Sequence, residues 1–64
     1  MTNNEAKIAL KNRTPVVFKN IEYSYISAII YRYKNDALHI SVELLDKSKR
    51  SVTIAQLKEV RTIT

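Results

Sequence analysis

Not one of the 64 residues is glycine. Glycine is the residue that enters the left-handed backbone region without steric cost, so every tight turn here must be made by Asn, Asp or Lys. The same absence rules out phosphate-cradling loops, which need glycine for close backbone approach. Cysteine is missing too, which removes disulfide frameworks and thiolate zinc sites. A chain of this length buries only about 60% of its unfolded surface. Stability must therefore come from a well-filled core, from self-association or from a partner.

The turn residues that are present divide the chain into short segments. Thr2-x-x-Glu5 fits a capping box, and Ala6, Ile8, Ala9 and Leu10 follow at helical spacing. Asn12 reads as the C-cap and Thr14-Pro15 ends the helix, because the residue before proline avoids the α region. The expectation is a short helix over about residues 3–12. After Pro15 the hydrophobic period becomes two. Val16–Phe18, Ile21–Tyr33, Leu38–Leu45 and Ser51–Ala55 read as strands, Gln56–Glu59 as one helical turn, and Val60–Ile63 as a short closing strand. The connectors Lys19-Asn20, Asn35-Asp36 and Lys47-Ser48-Lys49 are short enough to make the strands antiparallel hairpins. The fold class is mainly β with one helix: a single domain over residues 1–64, with a four- or five-stranded antiparallel small barrel or curled sheet over about 16–63.

Register assigns the faces. All four tyrosines, Tyr23, Tyr25, Tyr31 and Tyr33, share one face of the long strand if it is regular. A two-residue Asn35-Asp36 loop sets Tyr33 against Leu38, Tyr31 against Ile40, Ile29 against Val42 and Ser27 against Leu44. The alternation of Leu38, Ile40, Val42 and Leu44 then turns the tyrosines toward the core. A three-residue loop at Lys47-Ser48-Lys49 sets Leu44 against Val52 and Val42 against Ile54, turning both β-branched residues inward. A bulge near Ser27-Ala28 would reverse half of the long strand.

The opposite face carries Ile26 (opposite Leu45), Ile30, Arg32 and Lys34. Ile26, Ile30 and Leu45 are the candidate protein-interface residues, unless the N-terminal helix lays Ala6, Ile8 and Leu10 over them. The net charge of +5 draws the chain toward phosphate or an acidic protein surface. Arg32, Lys34, Lys47, Lys49 and Arg50 are the candidate nucleic-acid contacts. Inward-facing tyrosines, however, would remove the aromatic half of a single-strand platform. His39, Ser41 and Glu43 lie two apart on one strand, about 6–7 Å from each other, too far for a nucleophilic relay. With a single histidine and no spacing that forces carboxylates together, no catalytic, metal or cofactor site is expected, nor a small-molecule substrate.

The order of helix, hairpin-connected strands and a single helical turn before the last strand resembles the Src-homology-3-like small barrel, a fold that hosts many functions. The layout Glu5-Ala6-Lys7…Ala9-Leu10…Pro15-Val16-Val17-Phe18…Glu22-Tyr23, with Glu43–Asp46 and Ser51–Ile54, resembles small accessory proteins carried by phages and prophages of low-GC bacteria. A compact chain with no catalytic chemistry and a mixed apolar and basic outer face, taken with that resemblance, gives the expectation of a phage-borne, non-enzymatic binding module that docks on, and inhibits, a host or anti-phage defence protein in the cytoplasm of the bacterial cell. Two alternatives stand beside it: a basic nucleic-acid-binding barrel and a homo-oligomeric structural piece such as a homodimer. No apolar run approaches the roughly 18 residues of a membrane span.

Overall fold

The computed structural model describes residues 1–63. Helix α1, Asn3–Asn12, begins at the expected capping box: Thr2 Oγ1 accepts from the Glu5 amide at 3.1 Å, and Glu5 Oε1 accepts from the Thr2 amide at 2.7 Å. It ends at Asn12, as expected. Arg13, rather than Asn12, takes the left-handed cap position at φ 53°. Six strands follow: β1 Val16–Phe18, β2 Ile21–Tyr23, β3 Tyr25–Lys34, β4 Ala37–Leu45, β5 Val52–Gln56 and β6 Val60–Thr62, with a 3₁₀ turn at Leu57–Glu59 before the last.

These strands form two three-stranded antiparallel sheets, β2-β1-β6 and β3-β4-β5, and they do not close into a barrel. The expected long strand Ile21–Tyr33 is broken at Ser24, so that its first part pairs with β1 and the rest with β4. Ser24 fixes the corner: its amide donates to the Leu45 carbonyl at 2.8 Å and its hydroxyl to the Asp46 carbonyl at 3.0 Å. The core lies between the sheets and α1. Ile26, Leu44, Val16, Val42 and Val60 are its largest fully buried side chains, joined by Ala6, Ala9, Phe18, Tyr23, Ala55 and Leu57. Each large side chain contributes roughly 1.5–3 kcal/mol by burial.

The hairpin turns answer the lack of glycine directly. Lys19 and Asn20 both have positive φ, as do Asn35 and Asp36, the pattern of the type I′ turn that matches strand twist. Lys49 is left-handed as well, at φ 61°. The first two hairpins keep their expected registers, Phe18 opposite Ile21 and Tyr33 opposite Leu38.

Two registers differ. A bulge at Ser27 lets Ile26 face Leu44 while Ala28 faces Glu43. The bulge turns Ile26 into the core and Tyr25 outward, opposite Leu45. The β4–β5 connection is also one residue longer than expected. The Asp46 amide donates to the Ser51 carbonyl at 3.1 Å, which closes a loop of Lys47, Ser48, Lys49 and Arg50. Leu45 therefore faces Val52, Leu44 faces Thr53 and Val42 faces Ala55. Because a slip of one residue exchanges the faces of a strand, Ala55 is buried while Val52 and Ile54 point outward.

The cause of the longer loop is the Asp46 carboxylate. It accepts from the Ser48 hydroxyl (2.7 Å), the Ser51 hydroxyl (2.5 Å) and the Arg50 amide (3.3 Å), while the Lys49 amide closes a turn onto the Asp46 carbonyl at 3.0 Å. These bonds, led by that from Ser51, hold the Asp46 carboxyl down at about 2. The Thr2 amide lowers Glu5 in the same way. A carboxylate whose folded value lies below its unfolded one supports the fold at higher pH, and that support is lost as pH falls through the folded value. Thermal melts should therefore show stability declining from about pH 4 toward pH 2. In Asp46→Ala the melting temperature should be lower at neutral pH and the acid decline shallower. Separately, Lys49→Gly should raise stability by about 1 kcal/mol in urea melts, since a left-handed residue with a Cβ costs roughly 1–2 kcal/mol.

Candidate functional site

The four tyrosines no longer act as one row. Tyr23 is buried in the core, and Tyr25 is half-buried on the outward side with the Arg13 guanidinium 5.6 Å above its ring. Tyr31 and Tyr33 do face the core side of the sheet, as the register requires. They sit beyond the core's end, however, where β3 and β4 continue as a two-stranded arm. Tyr33 is 81% exposed, and Tyr31 donates its hydroxyl to Asn3 Oδ1 at 2.8 Å.

The opposite, outward face of β3-β4-β5 is built from the two register changes. Three rows cross it: Tyr25, Leu45 and Val52; then Ala28, Glu43 and Ile54; then Ile30, Ser41 and Gln56. Of the expected interface residues, Ile30 and Leu45 stand on this face, half-buried among their neighbours. Ile26 does not, because the Ser27 bulge puts it in the core with no exposed surface. In its place the face gains Val52 and Ile54, 49% and 54% exposed. The helix covers the other side of the sheet: its buried residues Ala6 and Ala9 belong to the cluster of Ile26, Val42 and Leu44, while Ile8 faces solvent. Ile30 and Leu45 are thus left uncovered.

Glu43 stands in the middle row, and Ser41 and Gln56 in the last. Glu43 accepts from the Ser27 hydroxyl at 2.7 Å, so the bulge residue occupies the one carboxylate at the centre of the face. His39, Ser41 and Glu43 alternate along this side of β4, each opposite a different residue of β3. No group of three His, Cys, Asp or Glu among the described residues could hold a metal ion.

The expected basic contacts are not brought together. Arg32 and Lys34 flank the Asn35-Asp36 turn, whereas Lys47, Lys49 and Arg50 lie in the loop at the other end of β4. At about 3.3 Å per residue these groups stand some 26 Å apart, along a strand of nine residues. Lys47 is also paired with Glu22 at 2.9 Å. A shallow groove of about 410 Å³ runs beside the arm, lined by Met1, Leu38, Ile40, Leu57 and Lys58 among others. No helix among the described residues is long and apolar enough to cross a membrane.

No protein-family model, no curated protein and no solved structure matches the chain.

The outward Val52 and Ile54 are the residues that the sequence expectation placed on the wrong side. The available signal was Asp46-x-Ser48-x-x-Ser51, an aspartate followed by two serines able to reach it. The tyrosine placement has its own check in urea melts. Tyr33→Ser should change stability by less than about 0.5 kcal/mol, as for an exposed site. Tyr23→Ser should cost about 3 kcal/mol or more, as for an aromatic removed from a core.

Proposed function

We propose that the chain is a non-catalytic protein-binding module whose docking surface is the outward face of β3-β4-β5. The single observation that carries this reading is the set of apolar side chains, Ile30, Leu45, Val52 and Ile54, that the helix leaves uncovered on this face, on a domain with few side chains to spare for its core. Soluble monomers seldom leave large contiguous apolar patches in water, and those that do use them for association. Docking on a host or defence protein, with inhibition as the result, is the form that the resemblance to phage accessory proteins gives to this reading. The basic residues form the rim at the two ends of the face, where they can steer an acidic partner toward it.

The test is the double substitution Ile30→Glu with Leu45→Glu. The expected result is an unchanged circular dichroism spectrum and loss of the proteins that the wild-type chain retains from host lysate. Ile8→Glu, on the exposed side of α1, should retain them. Unchanged capture by the double variant would sink the docking face. Tight binding of the wild type to a short DNA or RNA at low salt, falling steeply as salt rises, would favour the basic residues as the functional ones instead.

A further inference from the structure

We infer that the free edge of β5 receives an extended acidic segment of a partner protein, which adds a fourth strand to the β3-β4-β5 sheet. This inference rests on the docking face proposed above and names how that face is read.

Four strands stand at sheet edges, and three are blunted. Strand β2 is three residues long and carries the Glu22–Lys47 ion pair. Strand β6 is equally short, contains Arg61, and has its Val60 carbonyl bonded by the Met1 ammonium at 3.0 Å. Strand β3 is interrupted by the Ser27 bulge and ends in Arg32 and Lys34. The free stretch of β4 past the end of β5 carries His39 and borders the groove. Strand β5, Val-Thr-Ile-Ala-Gln, has no charge, no proline and no bulge, and nothing among the described residues pairs with its outer side. Proteins ordinarily protect such an edge, because it is a template for another strand.

The register says which groups are on offer. The Asp46–Ser51 backbone bond makes that pair a hydrogen-bonded one, and such pairs alternate along an antiparallel ladder. Thr53 and Ala55 therefore bond to β4, while the N–H and C=O groups of Val52, Ile54 and Gln56 point to the open edge. The exposed side chains of Val52 and Ile54 flank those groups and would contact alternate side chains of an added strand.

Charge selects the occupant. Lys49 and Arg50 stand exposed at one end of β5, and Lys58 beside the acidic Glu59 at the other, on a chain of net charge +5. A second copy brings the same net positive charge to the edge, like against like. An acidic strand meets complementary charge at the Lys49-Arg50 end and on the chain as a whole.

The probes are synthetic peptides of alternating valine and threonine, with two glutamates or two lysines at each end, titrated into labelled protein by NMR. The glutamate peptide should shift the amides of Val52, Ile54 and Gln56 most, and the lysine peptide should bind at least about tenfold more weakly. Ile54→Pro removes an outward N–H and no bond to β4, so it should abolish binding, whereas Ile54→Thr should keep it. A glutamate peptide N-methylated at every valine and threonine should also fail to bind, a control that does not depend on how a variant folds. Absence of binding by the glutamate peptide overturns the inference, as does equal binding of the lysine peptide. Binding that survives both Ile54→Pro and N-methylation overturns strand addition yet leaves the docking face standing, and the Ile30→Glu/Leu45→Glu capture result decides that face separately. Concentration-dependent self-association lost in Ile54→Pro assigns the edge to a second copy and overturns the acidic occupant.

Discussion

A single carboxylate determines which side of β5 meets water. Asp46 gathers two serine hydroxyls and one backbone amide around its oxygens, and in doing so it lengthens the β4–β5 loop by one residue. Since side chains alternate on a strand, that residue decides whether Val52 and Ile54 fill the core or leave it. The core accepts Thr53 and Ala55 in their place, the smaller pair. A hydrogen-bonded turn at the surface, of little direct weight in stability, thus fixes the placement of side chains that carry much more.

The Ser27 bulge acts in the complementary sense. Without it, Ile26 would join the outward face and the sheet would present Ser27 to Leu44. With it, Ile26 becomes the largest fully buried side chain of the core, and the displaced Ser27 hydroxyl takes up the Glu43 carboxylate. Among the described residues the core contains no buried polar or charged side chain. Each local irregularity moves one kind of residue inward and another outward, and together the two compose the apolar rows of the outer face.

What could be read from the residues followed from rules of short range. The capping box of Thr2 and Glu5, the stop before Pro15, and the two-residue turns at Lys19-Asn20 and Asn35-Asp36 all act within a few residues, and each is present as expected. The number of strands and the openness of the sheets were not legible, because Ser24 reads as one more residue of a continuous run. Its corner is made by bonds to Leu45 and Asp46, more than twenty positions away. Of the candidate site, Ile30 and Leu45 were legible from alternation alone. Ile26, Val52 and Ile54 were not, since each depends on a bulge or a loop length that side-chain hydrogen bonding selects. The tyrosines show a third limit: the side that Tyr31 and Tyr33 face was readable, but where the core ends along the strand was not.

That end of the core divides the molecule mechanically. Past Ser41 the sheet has lost β5, and β3 and β4 continue as a ribbon of two strands; Ile40 still packs against the core and Tyr31 bonds to Asn3, whereas the pair Tyr33–Leu38 beyond them is exposed. A two-stranded ribbon is marginal in water by itself. Its amides open to solvent at a far smaller free energy than those around Val42 and Leu44, where three strands and the core share the load. The chain thus carries a gradient of cooperativity along β4: one end unfolds only with the whole domain, and the other breathes while the domain stays intact.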